Sequence, residues 1–343
     1  FVFTIDRQGR INTSNQATVA SQDRKIKIFL NGVIYNHNGD QLVEGFYLHG
    51  VDYINKVEGS FIIFLIDGTG FYILTDKVNS KKAFYACVDN VWHVSNDIDA
   101  LPRDKCQLSL DGIASYLANG FMLNDLTLFR EIKSTKLARV YGYKNGELFS
   151  YPYWEFTFSN PPYSADQYDK YQQELESLLI QSVKRCYAAV SAASLSLSAG
   201  HDSRTILGIL HDKIKAPNIS CFSYALEELP GKDTDAALSK KLAEQCGYPH
   251  QTIRSYQGNL VDHLKNNARE GKCLSNFCGE LDAWHHLAAA GQFSDVFVGD
   301  ECFGRIDLKL GSKRDILASV SITDAAGIRG MKSFISKEIY TQM

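Results

Sequence analysis

An alternation of strand-like and helix-like segments in the second half of the sequence constrains the fold more than any other feature. Apolar runs typical of strands are followed by helical patterns, and Gly247 follows one of these patterns as a helix-ending residue. The predicted segments are a strand over 194–198, a helix over 202–211, a strand over 218–224, a helix over 233–246 and a strand over 295–298. This order predicts a parallel, doubly wound sheet.

The junction between the first of these strands and its helix carries small residues, and residues 195–204 read LSLSAGHDSR. Small side chains let backbone N–H groups approach a phosphate, and the N-terminus of the helix adds the positive end of its dipole. Asp202 repels a bare anion but suits Mg2+, which takes oxygen ligands and bridges phosphates. A tight structural turn with Asp202 as a helix N-terminal carboxylate fits the same residues, so both interpretations stay open at this point.

The first 100 residues are β-rich. Ile26, Ile28 and Leu30 alternate with other residues, as in a half-buried strand. The apolar runs 61–66 and 71–74 flank an Asp-Gly turn and predict a hairpin. A helical pattern over 108–120 follows, and we predict that Asp111 caps it.

The sequence predicts two domains that meet near residues 157–165. Asn160-Pro161-Pro162 interrupts regular structure, and residues 164–167 match a capping box at the start of a long helix. We assign residues 1–157 to the first domain and 164–343 to the second. The long helix carries an apolar stripe that we predict to face a core, formed by Tyr168, Tyr171, Leu175, Leu178, Leu179 and Ser182.

Composition excludes several classes of protein. The 343 residues carry a net charge of -3 without a long run of Lys or Arg, which argues against a protein that tracks a nucleic-acid backbone. No apolar stretch is long enough to predict a membrane span, and no signal-peptide pattern opens the chain. The eight cysteines are scattered as reduced thiols usually are, so we expect a cytoplasmic protein. Because the chain begins with Phe1 and stops soon after residue 300, we also expect a fragment or a processed product.

The turn resembles the pyrophosphate-binding S-G-G-x-D-S loop of the N-type ATP pyrophosphatases, with Ala199 in place of the first glycine. This replacement is tolerable only if Ala199 has φ below zero. Residues 298–304 read VGDECFG and resemble the G-D-E-x-F-G segment of asparagine synthetases. The resemblance implies Mg2+ on Asp202 and Asp300, which would face each other at the carboxyl ends of two strands. It also implies an ATP and pyrophosphate site formed by Leu197, Ser198, Ala199, Gly200, Asp202, Ser203 and Ser223.

The first half resembles class II glutamine amidotransferase domains, which hydrolyse glutamine with an N-terminal cysteine. Residues 31–37 read NGVIYNH, where the family pattern is N-G-E-I-Y-N-H. Residue 1 is Phe, and Val33 replaces the Glu that holds the glutamine amine; an apolar side chain leaves such an ammonium without a partner. We therefore expect Asn31, Gly32 and Val33 to form a degenerate glutamine site, with Asn31 and Gly32 in a structural role.

Together these features resemble the asparagine synthetase family. The implied fold is α/β: an N-terminal Ntn-hydrolase-like αββα sandwich, then a C-terminal doubly wound parallel-sheet domain of the adenine nucleotide α-hydrolase (PP-loop) type. The implied reaction uses ATP and Mg2+ to adenylate a carboxylate, releasing pyrophosphate, and then transfers the acyl group to an amine or ammonia. The family's synthetase domain continues beyond this chain and carries a lysine that stabilises the transition state there, so no catalytic residue is assigned here.

Three functions stay open. The first is an asparagine-synthetase-like ligase that uses aspartate. The second is a glutamine-independent relative of the β-lactam synthetase or lasso-peptide cyclase type, with a small-molecule or peptide carboxylate as substrate; Val33 and the missing cysteine favour it. The third is a non-catalytic family member. We expect no nucleic-acid or membrane partner, and the resemblance is compatible with a homodimer.

Overall fold

The computed structural model describes most of the chain up to residue 299. The described ranges are 1–23, 25–68, 70–119, 121–144, 147–157, 167–217, 219–226, 231, 234–255, 258–271, 281–290 and 295–299. This part of the chain forms two compact units, a sandwich unit within residues 1–157 and a parallel-sheet unit within residues 167–299. Most of the predicted boundary near residues 157–165 lies outside the described residues.

The sandwich unit consists of two antiparallel sheets and two longer helices. Its strands are β1 (Val2–Ile5), β2 (Ile11–Asn12), β3 (Val19–Ala20), β4 (Lys27–Ile34), β5 (Gly59–Ile66), β6 (Phe71–Thr75), β7 (Phe84–Val88), β8 (Val91–Ser95), β9 (Lys133–Ser134), β10 (Arg139–Lys144) and β11 (Glu147–Pro152). The helices are α1 (Gly39–His49) and α2 (Leu110–Asn119). One sheet has the strand order β2-β1-β8-β7-β9, and the other has the order β11-β10-β6-β5-β4-β3.

Strand β5 is buried on both faces. Phe61 and Ile63 pack in a core with α1, whereas Ile62 and Phe64 pack in a second core between the two sheets. A strand covered on both sides needs apolar residues at every position, which explains the continuous apolar run over 61–66. The predicted hairpin is present, because β5 pairs with β6 and Asp67 N donates to Gly70 O at 3.1 Å.

Short helical turns cover the other face of the five-stranded sheet. Ile98 and Leu101 pack there against Phe84 of β7. The layers therefore run from helix α1 through two sheets to a helical layer, which confirms the predicted αββα sandwich.

The predicted cap of α2 is wrong. The helix begins at Leu110, and Ser109 Oγ accepts a hydrogen bond from Gly112 N at 3.1 Å. Asp111 lies inside the first turn instead. Both residues are of a type that caps helices, and the serine comes first in the chain.

The parallel-sheet unit has four strands and five helices among its described residues. The strands are β12 (Ala193–Ser196), β13 (Ile219–Ala225), β14 (His250–Arg254) and β15 (Asp295–Val298), and the helices are α3 (Tyr168–Ala188), α4 (His201–Gly208), α5 (Asp235–Gln245), α6 (Leu260–Gly271) and α7 (Leu281–Ala290). Helix α4 continues into π-helical turns over Ile209–Ile214. Gly247 has φ +73° after α5, as predicted for a helix-ending glycine.

All strand pairs in this sheet are parallel, in the order β14-β13-β12-β15. Helices α3, α4 and α5 pack on one face, where Leu195 and Cys221 belong to the shared core. Helix α7 packs on the opposite face through Ala283 and Leu287. The predicted doubly wound sheet is therefore confirmed, and the direction of winding reverses between β12 and β15.

The apolar stripe predicted to face a core on α3 is exposed, and that prediction is wrong. The exposed fractions are 55% for Tyr168, 43% for Tyr171, 67% for Leu175, 56% for Leu178 and 40% for Leu179. Helix α3 packs on the sheet through its other side, with Ile180, Val183 and Tyr187. The helix has two apolar faces, and residue spacing alone does not say which one meets the sheet.

Within the described ranges, no helix combines the length and apolar character needed to cross a membrane.

Candidate nucleotide-binding site

The predicted turn lies at the carboxyl edge of the parallel sheet. It follows β12, and β12 pairs with β15 so that Ser196 lies opposite Val298. The turn and Gly299 therefore leave neighbouring strands at the same edge, where the winding direction reverses. In open α/β sheets this crevice is where ligands bind.

Hydroxyl groups within the turn hold its shape. Ser203 is 1% exposed, and its Oγ donates to Ser198 O at 3.0 Å and accepts from Ser198 N at 3.1 Å. Ser198 Oγ lies 2.8 Å from Ser203 Oγ and accepts from Gly200 N at 3.1 Å. Ser198 and Ser203, which the resemblance places in the ATP and pyrophosphate site, thus use their hydroxyl groups to close the turn on itself.

The backbone of the turn accommodates Ala199. Ala199 is not among the described residues with positive φ, so the condition set by its methyl group is met. Gly200 precedes α4 with φ -70° and ψ 159°, and within the described part of the chain no side chain caps that helix. The first N–H groups of α4 are therefore available to a ligand. Arg204 Nε donates to Gly200 O at 3.1 Å, which keeps its positive charge beside the turn.

Asp235 is a residue of the site that the sequence did not reveal. It lies in the first turn of α5, and its Oδ1 accepts from Ala199 N at 2.7 Å. The carboxylate occupies an amide of the turn and adds negative charge to the turn that also carries Asp202. These negative charges repel a phosphate group, so a phosphate would bind here only together with a cation. The contact joins residues far apart in the chain, and the one local signal was a carboxylate following Thr234, the cap of α5.

Asp202 has the properties of a cation ligand. Its side chain is exposed, and it makes no hydrogen bond or ion pair to another described residue. Carboxylate oxygens suit Mg2+, which proteins often hold with one or two carboxylates and the phosphates of a substrate. Among the described residues, no three His, Cys, Asp or Glu side chains gather closely enough to hold a metal alone. Asp300, the second predicted ligand, lies outside the described residues.

Gly299 packs directly on the backbone of the turn. A Cβ at this position would lie 2.7 Å from Ser203 Cα and 2.9 Å from the Asp202 carbonyl carbon, and it would overlap Ser203 N. These are backbone atoms that cannot move without moving the turn. Gly299 therefore lies against the backbone of Asp202 and Ser203, and the only sign of this contact in the sequence is a glycine before an aspartate.

Ser223 and His250 hold the residue that leads from β12 into the turn. Ser223 is 2% exposed, and its Oγ donates to Leu197 O at 2.6 Å and lies 2.8 Å from His250 Nε2. Since the hydroxyl proton goes to Leu197, His250 Nε2 is the donor to Ser223. Burial, with a smaller contribution from Lys240, lowers the pKa of His250 and keeps the ring neutral. Ser223, predicted to bind ATP, thus uses its side chain to position Leu197.

Asn31, Gly32 and Val33, which we predict to form a degenerate glutamine site, lie in the sandwich unit inside the β4–β5 ladder. Gly32 has φ +120°, and a Cβ there would lie 2.8 Å from Phe61 Cα and overlap Ser60 O. Asn31 pairs with Ile62, and Val33 pairs with Ser60. The close pairing of the two strands is enough to explain why residue 32 is a glycine.

Comparisons with known proteins agree with a nucleotide-dependent ligase family for part of the chain. The family model of asparagine synthase matches residues 174–281, and no curated protein matches the chain. Among solved structures, the chain is similar to glutamine phosphoribosylpyrophosphate amidotransferase from B. subtilis, solved with ADP and GMP, at 10% identity and a TM-score of 0.29. That match covers 72% of this chain and 51% of the amidotransferase, so the chain spans about half of its length.

Two other solved structures are similar. One is a predicted subunit of tRNA methyltransferase from Methanocaldococcus jannaschii, at 14% identity and a TM-score of 0.23, over 45% of this chain and 73% of that chain. The other is described as the allosteric regulatory enzyme of purine biosynthesis, at 10% identity and a TM-score of 0.30, over 97% and 74%. With TM-scores this low, the fold rests on the strand order and packing described above. Residues 174–281, which match the family model of asparagine synthase, hold the turn, its supporting strands and helices α4 to α6.

Proposed function

We propose that the parallel-sheet unit binds ATP at the turn over residues 198–203 and activates a substrate carboxylate as an acyl-adenylate. A carboxylate oxygen attacks the α-phosphorus, the bond to the β-phosphate breaks, and pyrophosphate leaves. An amine or ammonia then attacks the acyl carbon, and AMP leaves as the amide forms. The observation that carries this proposal is the contact of Gly299 with the Asp202–Ser203 backbone, because it joins the two family signatures at one edge of the sheet.

Each part of the turn has a task in this scheme. The uncapped N–H groups of α4 and the nearby charge of Arg204 bind phosphate oxygens. Asp202, together with Asp300, would hold Mg2+. When bound, Mg2+ supplies charge neutralisation on the phosphates. Asp235 offers a further carboxylate at the same turn and keeps the amide of Ala199 oriented.

We infer that the nitrogen does not come from glutamine hydrolysed on this chain. Val33 lies in β4 where the amidotransferase pattern has an acidic residue, and it offers no charge to a substrate ammonium. The amine then belongs to the substrate itself or arrives as free ammonia. This favours a glutamine-independent amide ligase over a glutamine-dependent asparagine synthetase.

Calorimetry on the chain with ATP tests the site itself. We expect ATP binding that requires Mg2+ and disappears with EDTA, and we expect Asp202→Asn to weaken it about tenfold or more because the variant loses an anionic metal ligand. Asn is close to Asp in size, so the fold should persist, as thermal unfolding would verify. Glu176→Gln is the matched control, since Glu176 is an exposed carboxylate of α3 outside the site. Equal Mg2+-dependent affinity in wild type and Asp202→Asn would remove Asp202 from the proposal.

Exchange of labelled pyrophosphate into ATP by the full-length protein tests the chemistry. A panel of amino acids, small carboxylic acids and peptides should include one acid that supports exchange. Binding of ATP without exchange for any acid would instead support a non-catalytic family member. Release of glutamate from glutamine by the same protein would contradict the inferred source of nitrogen.

A further inference from the structure

The sandwich unit contains a cavity of about 420 Å3 whose lining is rich in positive charge. It is bounded by the chain after β6, the chain after α2, the approach to β10 and the end of β11. Lys82, Lys136 and Arg139 line it, and Glu155 is the single carboxylate among the lining residues. The volume falls within the range of small-molecule sites.

Lys82 contributes a charge that no described residue neutralises. Its ammonium makes no ion pair or hydrogen bond within the described part of the chain, and burial alone lowers its pKa. Removing a charge from water costs free energy unless an opposite charge offsets it. An anion in the cavity would supply this offset.

The other two cations are only partly satisfied. Lys136 Nζ lies 3.4 Å from Asp125 Oδ2, and Arg139 Nη1 donates to Ser150 Oγ at 3.4 Å. Both distances are at the long end for hydrogen bonds, so both groups keep donors for a ligand. Counting the lining residues alone, three cations face one carboxylate.

The cavity lining includes an aromatic side chain and an amide side chain that a hydrogen bond holds in place. Trp154 lines the cavity, with Lys77 Nζ at 5.6 Å from its ring centroid. Asn79 also lines it, in a left-handed conformation with φ 55°, and its Nδ2 donates to Thr135 O at 2.8 Å. The cavity therefore combines a planar apolar surface with an oriented amide and several positive charges.

We propose that this cavity binds a small organic anion, with its phosphate or carboxylate group against Lys82 and Arg139 and a planar part against Trp154. All lining residues belong to the sandwich unit, whereas the turn belongs to the parallel-sheet unit. It does not depend on the function proposed for that turn. It assigns a ligand site to the unit in which we predict a degenerate glutamine site.

Calorimetry on the chain with three probes tests this site: inorganic phosphate, citrate and phenyl phosphate. We expect binding of at least one probe, and tighter binding of phenyl phosphate than of phosphate if the Trp154 wall takes part. If the two phosphate probes bind and citrate does not, the ligand carries a phosphate group. If citrate binds and the phosphate probes do not, the ligand carries a carboxylate group. Failure of all three to bind at millimolar concentration would overturn the proposal.

Lys82→Met provides the decisive variant, with Lys81→Met as its matched control. Met keeps the apolar stem and removes the charge, so we expect affinity for the bound probe to fall about tenfold or more. Lys81 is the exposed neighbour outside the lining, and its variant should bind within about twofold of wild type. Without ligand, Lys82→Met should unfold at a higher temperature than wild type, because a partly buried charge without a described partner has been removed. Unchanged affinity in Lys82→Met, or a lower unfolding temperature, would contradict the assignment.

Discussion

Each unit has a glycine at a position where a Cβ would collide with backbone atoms, and the two glycines have different roles. Gly32 lies inside the β4–β5 ladder, where the atoms it would strike belong to the neighbouring strand. Gly299 follows the last described strand, where the atoms it would strike belong to the turn. Both lie within family signatures. Gly32 is required by the close pairing of two strands, and Gly299 is required by the close packing of the chain on the turn.

The surroundings of the two signatures differ in the same way. Val33 extends along a paired strand, where it lies opposite Ser60 of β5. Asp202 lies at the start of a helix with an exposed carboxylate. A residue type can therefore change at position 33 at little cost to the ladder, since any extended residue maintains it. The comparison suggests that a motif inside a sheet is weak evidence of activity, and that a motif at an open sheet edge is stronger evidence.

Gly32→Ala should produce the largest effect. The substitution forces a side chain into φ +120° and against the backbone of β5, so we expect a loss of roughly 3 kcal/mol or more in the free energy of unfolding. Denaturant unfolding of the sandwich unit in the chain measures it. Gly68→Ala is the control, because a Cβ there meets open space and should change little. A Gly32→Ala protein as stable as Gly68→Ala would contradict a structural role for Gly32.

Gly299→Ala should act on binding more than on the fold. A Cβ would push the Asp202–Ser203 backbone out of place at a cost of about 1–3 kcal/mol, and we expect Mg2+-dependent ATP affinity to fall about tenfold or more. Gly208→Ala at the end of α4 is the control, since its added Cβ has open space and a helical backbone, and it should bind ATP normally. If both variants bind ATP equally well, Gly299 does not shape the site.

His250→Gln should produce the smallest change in stability of the three variants, and only at acidic pH. Burial lowers the folded-state pKa of His250 below its unfolded value of 6.5, so the unfolded chain takes up a proton first as the pH falls. Wild-type stability should therefore decrease as the pH drops below about 6.5, and the decrease should be smaller in His250→Gln. Gln retains a donor at the position of Nε2, which preserves the contact with Ser223. Thermal unfolding at pH 7.5 and pH 5.5 measures the difference, and equal acid sensitivity of both proteins would contradict it.

Local patterns predicted the elements well because strands and helices depend mostly on neighbouring residues. Strand β15 matches its predicted bounds, and the hairpin of β5 and β6 forms around its Asp-Gly turn. The alternation of elements also predicted the doubly wound sheet, although not the strand order that places β15 beside β12.

The sequence patterns did not predict contacts between segments that are far apart in the chain. The stripe on α3 was assigned to the wrong face because two apolar faces compete, and only packing selects Val183 over Leu175. The contacts of Asp235 with Ala199, and of His250 with Ser223, depend on how helices and strands return to the sheet. These contacts determine the shape of the turn, so sequence patterns located the candidate site without describing how it is held together.

The pairing of β12 with β15 has a consequence for how the site comes into being. Strand β13 follows β12 closely in the chain, whereas Val298 reaches Ser196 only after three more helices and another strand. Contacts between segments so distant in sequence form late and slowly, since the loop between them must close first. During synthesis the turn can therefore emerge and fold against β13 while one of its walls is still missing. The nucleotide binding proposed for this turn would therefore begin only after β15 has joined β12, which links the proposed activity to a late step in the folding of this unit.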